Sequence, residues 1–412
     1  MKSVFVKSLK IFGFVFLGLI IIIIVAIGIQ LSNYKKLEKV EIESFSLTDT
    51  IPFRYSNSGH ILIDVQVEGS RKTYPFILDS GASNIIFDNK SSEFNFENNG
   101  IGIGVGSNGN FFFSSIKKVN NIKIQSLEFK NFNAEEINHN FDCFDDAYGL
   151  IGTGLMHQLN WQIDFKNNEI IVSRDLKNLS IGNDKVELEL KENPFSHHIT
   201  LPIRFSKESS FSYVNVDLGN PGNLSLNENL ILKDSLKLEF RKVFGTRVSG
   251  LGDSKHRASN DKIYLADTLF FKSGFKLKNF SFSSNPNSIN LLGLGLFKNY
   301  KTTISWQHKK IILEPFKNDF SFIGKTFGLN FRYDEDTQKV LINSIIEKSV
   351  AEKEGLILNS EIISVNEMNR LNKSNFCEIR EIMASNDTLN LSTKFENEIN
   401  TYILIKEPLF AF

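Results

Sequence analysis

Cysteine, proline and tryptophan are scarce in this chain of 412 residues, with 2, 8 and 2 occurrences. The two cysteines, Cys143 and Cys377, are too few for a disulfide framework. They fall in segments that read as different domains, so both are expected to be free and buried. An excess of charge is also absent: 47 basic residues balance 47 acidic ones, so no long-range field favours nucleic acid as a partner. No Ser/His/Asp or Cys/His set stands in a supporting context. Asp142, Asp145 and Asp146 lack regular ligand spacing and read as a solvated loop, and no metal site is expected. His197 and His198, beside Pro194, read as surface residues.

What is plentiful is phenylalanine, 38 residues, which together with the many isoleucines and valines favours strands over helices. At 41% hydrophobic and 23% charged, the composition is globular, and the length suggests two or three domains. From Ile11 to Ile29 run 19 residues without a charge, close to the roughly 20 that span a bilayer as a helix. A cleaved signal peptide is the alternative, but the run is long for one and "AIGIQLSN" offers no convincing cleavage site. The reading is a retained single-pass anchor in the cell membrane, with a stalk to about Ser44 and the bulk of the chain extracytoplasmic (periplasmic).

The middle of the chain repeats itself. "LIGTGLMHQLNWQIDFKNNEIIV" from Leu150 matches "LLGLGLFKNYKTTISWQHKKIIL" from Leu291 at a constant offset of 141. "SLEFKNF" from Ser126 matches "GFKLKNF" from Gly274, and "FILDSG" from Phe76 matches "VNVDLG" from Val214. Three matches in one order indicate two copies of a strand-rich unit, from roughly 45 to 178 and roughly 185 to 316. Within them "HILIDVQVEG" and "KTYPFILDS" read as a hairpin around Gly69-Ser70, and "PFIL" as a strand covered on both faces.

Each copy places one aspartate at the end of an apolar strand with a glycine two residues on: Asp79-Ser80-Gly81 and Asp217-Leu218-Gly219. The strand fixes the backbone, and the glycine lets the loop turn its N–H groups toward the carboxylate. Two such loops brought together would share one proton, the ionised member activating water and the protonated one polarising a carbonyl.

"FILDSGAS" followed by "LIG" at 150–152 resembles one lobe of the retropepsin- and pepsin-like aspartic peptidases, and "VDLGNPGN" with "LLG" at 291–293 resembles the other. The resemblance implies catalysis by Asp79 and Asp217, supported by Ser80, Gly81 and Gly219, with no cofactor. It also implies that the residue after each aspartate offers a hydroxyl to a grip between the lobes; Ser80 can supply one and Leu218 cannot. A second lobe that no longer catalyses is therefore the alternative. The glycines of "GIGIGVGSNGNFFFSS" match a dinucleotide fingerprint only formally, because no helix follows. A mobile hairpin over the cleft, the flap of the resembled family, fits better, and "VSGLGDS" at 248–254 sits comparably.

Beyond Asn318 the pattern changes. "FGLNF", "SVAEKEGL" and "SEIISVNE" followed by the helical "NKSNFCEIREIMAS" resemble a PDZ domain of bacterial protease type, covering 318–408. The resemblance implies a carboxylate-binding loop formed by Phe327, Gly328, Leu329, Asn330 and Phe331, with protein C-termini as partners. The expected fold is mostly β: two pseudo-symmetric lobes, then an α+β PDZ domain, behind an N-terminal transmembrane helix. The chain as a whole looks like the bacterial aspartyl-protease-family proteins that end in a PDZ domain, which implies an endopeptidase acting on peptide or protein substrates. The competing readings are a catalytically degenerate, membrane-tethered peptide receptor and a homodimer built through the first lobe.

Overall fold

The computed structural model describes residues 2–38, 40–43, 46–106, 111–138, 143, 147–233, 236–247, 257–258, 260–317 and 321–410. A single long helix, Lys2–Glu38, opens the chain. Its Phe12–Ile29 stretch has a mean hydropathy of 3.1, and none of that stretch is buried against the protein. Such a helix is long and apolar enough to cross a membrane. The helix continues through most of the segment expected to be a stalk.

The rest is mostly strand. Thr73–Leu78 pairs antiparallel with Ile61–Val67 on one side and parallel with Gly149–Ile151 on the other, Ile77 facing Leu150. Neighbours on both edges and cover on both faces explain why Phe76, Ile77 and Leu78 are all buried. Gly149–Ile151 pairs antiparallel with Ile85–Phe87, which runs parallel to Leu127–Ile137. The second half repeats this wiring strand for strand. Ser212–Asp217 lies between Ile199–Arg204 and Leu291–Gly293, the latter parallel, with Val216 facing Leu292. Leu291–Gly293 pairs antiparallel with Leu224–Asn227, which runs parallel to Lys276–Asn285.

The halves are joined where the repeated hairpins meet. Asn160–Asp164 pairs antiparallel with Tyr300–Ser305: Trp161 faces Ile304, Gln162 faces Thr303, and Ile163 faces Thr302. Adding the repeat offset of 141 to 161, 162 and 163 gives 302, 303 and 304. The pairing therefore maps onto itself under the sequence repeat, with the Gln162 amide donating to Thr303 Oγ1 at 3.1 Å across its centre. One apolar cluster runs through this seam and includes Trp161, Leu201, Val216, Leu218 and Leu292.

The C-terminal elements form their own apolar cluster around Phe327, Phe331, Ile342, Val365 and Phe376. The segment expected to be helical is helix only over Glu378–Ser385. A strand seam and a covalent bond tie this module to what precedes it. Strand Glu239–Arg247 of the second half pairs with Lys339–Ile346, Val243 facing Ile346 and Phe244 facing Ile345. The other attachment corrects an expectation: Cys143 and Cys377 are not free but form a disulfide, their Cα atoms 5.3 Å apart. They stand in different parts of the chain, yet the fold sets Cys143 against the start of helix Glu378–Ser385, within bridging distance.

Candidate active site

Each aspartate ends its strand as the central member of a three-strand arrangement, so little freedom is left in its backbone. Behind the first loop, Gly152 N donates to Asn84 Oδ1 at 3.1 Å and Thr153 N to Ala82 O at 2.9 Å. A side chain at Gly152 would overlap the carbonyl of Ser83, so only glycine lets this segment close against the loop. Behind the second loop, Gly293 N donates to Asn223 O at 2.8 Å and Leu294 N to Asn220 O at 2.7 Å.

The two loops meet face to face. A Cβ built on Gly81 would overlap the carboxyl of Asp217, and one built on Gly219 would overlap the carboxyl of Asp79. Each carboxyl thus occupies the space that the glycine of the opposite loop leaves open. Asp79 is 7% exposed, and Gly81 N donates to its Oδ1 at 2.7 Å. Burial pushes its pKa up, while the N–H groups of Gly81 and Gly219 and a hydrogen bond with Asp217 pull it back down. Asp217 is pushed well above the ordinary carboxylate range, by burial first, then by the charge of Asp79 and the hydrogen bond with it. Its Oδ1 is sealed from solvent without a hydrogen-bond partner among the described residues, a deficit that a shared proton removes. The N–H groups of Gly219 and Asn220 oppose that rise at Asp217, as those of Gly81 and Gly219 do at Asp79. The two groups cannot both ionise and titrate as a pair that shares one proton, with burial and the charge of Asp79 pushing Asp217 up.

Ser80 grips the opposite half: its hydroxyl donates to Val216 O at 2.9 Å and accepts from Leu218 N at 3.1 Å. Leu218 returns no side-chain bond and instead lies fully buried in the shared apolar cluster. The grip is built from one side.

His60 carried no signal in the sequence, where it follows an ordinary "SNSG" turn. It is 7% exposed, accepts or donates at Nδ1 to Ser58 Oγ at 2.8 Å, and is hydrogen-bonded to the backbone of Gly219. Burial lowers its pKa to about 4; the charges of Arg380 and Lys298 add to this and the Gly219 bond opposes it. Lys298 Nζ donates to Gly59 O at 3.3 Å and stands 4.2 Å above the Tyr55 ring. The first half thus touches the Asp217 loop through His60, as it does through Ser80.

The glycine-rich hairpin is present as Glu97–Val105 paired with Phe111–Ile124, Gly104 facing Phe112 and Gly102 facing Ser114. Its tip, residues 107–110, lies outside the described residues, as do 248–254 and Asp142, Asp145 and Asp146. Among the described residues no group of three His, Cys, Asp or Glu side chains is arranged to hold a metal ion. The expectation for His197 and His198 needs correction: both are half-buried. His197 stacks on His157 at 3.7 Å between ring centroids and meets Glu192 Oε1 at 2.6 Å, because its loop folds back onto the first half.

In the "FGLNF" segment, Phe327, Leu329 and Phe331 are core residues and Asn330 is exposed. Gly328 has φ +78°, and its N–H already donates to Thr326 Oγ1 at 3.0 Å, so that donor is engaged locally.

No family model matches the chain, and no curated protein matches it. Among solved structures it is similar to basic 7S globulin from soybean, at 8% identity and a TM-score of 0.42 over 65% of this chain and 94% of that one. It is likewise similar to the aspartic proteinase from Irpex lacteus, at 13% identity and a TM-score of 0.42 over 65% of this chain and 97% of that one.

Proposed function

We propose that the chain is a membrane-anchored aspartic endopeptidase, made of two pseudo-symmetric pepsin- or retropepsin-like lobes and a C-terminal PDZ-like module. The observation that carries this reading is the reciprocal seating of Asp79 and Asp217 against Gly219 and Gly81. In the reaction, a water between the carboxyls gives its proton to ionised Asp79 while protonated Asp217 donates to the scissile carbonyl oxygen. The water oxygen bonds to the carbonyl carbon; the C–N bond then breaks as the amine takes the proton from Asp79, and a hydroxyl of the tetrahedral carbon returns a proton to Asp217 as the carboxyl product forms. Activity needs one proton on the dyad, so the rate should fall when Asp217 ionises at high pH and again when Asp79 is protonated at low pH.

The helix Lys2–Glu38 would hold the body at the extracytoplasmic, periplasmic side of the cell membrane, and the Cys143–Cys377 bridge supports an oxidising compartment. The PDZ-like module would take peptide or protein C-termini along the strand Leu329–Asp334, whose pairing among the described residues is with Lys339–Ile346. Leu218 favours a second reading, a cleft that binds extended peptides without cutting them. Peptide-library hydrolysis by the wild-type chain, Asp79→Asn and Asp217→Asn separates the two. The peptidase reading expects cleavage by the wild type and at least about a 10³-fold loss in each variant. Full activity in Asp217→Asn would sink the dyad, and binding without cleavage by the wild type would establish the receptor.

A further inference from the structure

The mechanism leaves the buried carboxylate of Glu135 unused. Glu135, on strand Leu127–Ile137, is 7% exposed. Its Oε1 accepts from Ser83 Oγ at 2.7 Å and its Oε2 accepts from Ser114 Oγ at 2.7 Å. These serines belong to different working parts. Ser83 is four residues beyond Asp79 in the same loop, and its carbonyl is the surface on which Gly152 closes. Ser114 lies in the glycine-rich hairpin, opposite Gly102. A Cβ on Gly102 would come 3.3 Å from Glu135 Oε2, so the hairpin lies directly on the carboxylate. Glu135 N also donates to Asn84 O at 2.8 Å, which fixes its strand to the end of the Asp79 loop.

We propose that Glu135 is a positioning residue that couples the strands of the glycine-rich hairpin to the loop carrying Asp79, so that the placement of the hairpin and the alignment of Asp79 depend on each other. This rests on the peptidase reading for its consequence, though not for its geometry. A carboxylate only accepts, so it satisfies two hydroxyl donors at once; an amide presents a donor to one of them and leaves that hydroxyl without an acceptor. The loop and the hairpin share a backbone frame here, since Leu127–Ile137 pairs with Phe111–Ile124, Ile116 facing Glu135, and with Ile85–Phe87, Ile85 facing Glu135. On that frame the carboxylate adds a direct side-chain link, so a displacement of Ser114 bears on Ser83 through both bonds of one group.

The test uses the full chain in lipid nanodiscs with Ser83→Ala, Ser114→Ala, their double variant and Glu135→Gln. The serine variants remove one hydroxyl each and keep the fold testable where loss of the buried acid does not. The first readout is amide hydrogen exchange in Glu97–Val105 and the facing part of Phe111–Ile124. Ser83→Ala lies outside the hairpin, yet it should speed exchange there about tenfold, as loss of one charge-assisted bond predicts. The second readout is the split between kcat and KM. Each single variant should raise KM and lower kcat, and the double variant should be no worse than the worse single one, because either cut breaks the same bridge. Unchanged hairpin exchange in Ser83→Ala, or additive effects of the two serines, would overturn the coupling. Exchange is read without turnover. If the wild type cleaves nothing, the peptidase reading falls, and the exchange result alone decides for or against the bridge.

Discussion

At the scale of single residues, the site trades stability for chemistry, and the trade has a sign. Asp217 keeps its proton far above 3.8, its ordinary value, so the folded state binds more protons than the unfolded one as pH rises from there. Its contribution to stability is complete below that value and is lost as pH climbs through the raised one. Asp217→Asn should therefore melt higher than the wild type at pH 7 while being inactive, and the gap should close toward pH 4. Equal melting temperatures at pH 7 would mean that the pair carries no strain. His60 works in the opposite sense. Its folded pKa of about 4 lies below the ordinary 6.5, so the unfolded chain takes up a proton first as pH falls. Stability is unaffected above 6.5 and declines toward pH 4, by roughly 3 kcal/mol for a histidine shifted this far. His60→Gln should flatten the stability curve over that window, as read by denaturant unfolding. Leu218→Thr offers a hydroxyl to the missing half of the grip, but it removes a fully buried leucine from the shared core. The expected result is a loss of about 1–3 kcal/mol with turnover little changed, since a hydrogen bond returns less than the lost packing.

At the scale of elements, the three ordered repeats in the sequence marked the apolar strand, the glycine and the turn that recur around each aspartate, but not the parallel pairing that those strands make. Nor could they disclose pairing between parts that are not copies of each other. Strand Glu239–Arg247 is the clearest case. Its first residues pair with Lys262–Phe271 inside the second half, Glu239 facing Leu265, and its later ones pair with Lys339–Ile346. Alternation along a strand reports which face is buried but not which distant edge it joins. His60 and Glu135 were silent for a similar reason: their partners, Gly219, Ser83 and Ser114, are set by the fold. The joint with the C-terminal module turns on Gly245, whose φ is +105° and whose Cβ would overlap the carbonyl of Asn343. Asn343 Nδ2 in turn donates to Thr246 O at 3.1 Å. Gly245→Val should open this seam, costing about 1–3 kcal/mol from backbone strain alone. Faster proteolysis around 242–247 with the dyad still active would be the sign. Gly328 is a poor probe of the proposed peptide groove by comparison, because a side chain there would overlap Ser349 and disturb the fold itself.

At the scale of the whole molecule, the C-terminal module is not hung on a linker. It is bound to the first half through Cys143–Cys377 and to the second half through the strand seam, where Glu347 N donates to Lys242 O at 2.8 Å. Arg241 also stands 4.8 Å over the ring of Phe410, near the end of the chain. A module held at both halves restricts how far they can separate, and the charge of Arg380, on its helix Glu378–Ser385, is felt at His60 beside the Asp217 loop. The expectation of two free cysteines missed this because composition counts thiols without locating them. The bridge spans 234 residues of sequence; chain entropy alone would give a loop this long about 5 kcal/mol, whereas native bridges typically deliver about 2–4 kcal/mol. The seam partly constrains the same ends, so the observed gain should fall in the lower part of that range. Calorimetry of the wild type, a Cys143→Ser/Cys377→Ser variant and Gly245→Val, each with and without a phosphine reductant, checks this. The wild type should melt in one transition when oxidised. Reduction should lower it and separate a C-terminal transition, the serine variant should match the reduced wild type and ignore reductant, and Gly245→Val should come apart fully only once reduced. If reductant leaves the wild-type melt unchanged while both thiols become titratable, the seam alone holds the module, and the disulfide has no part in joining it to the two halves.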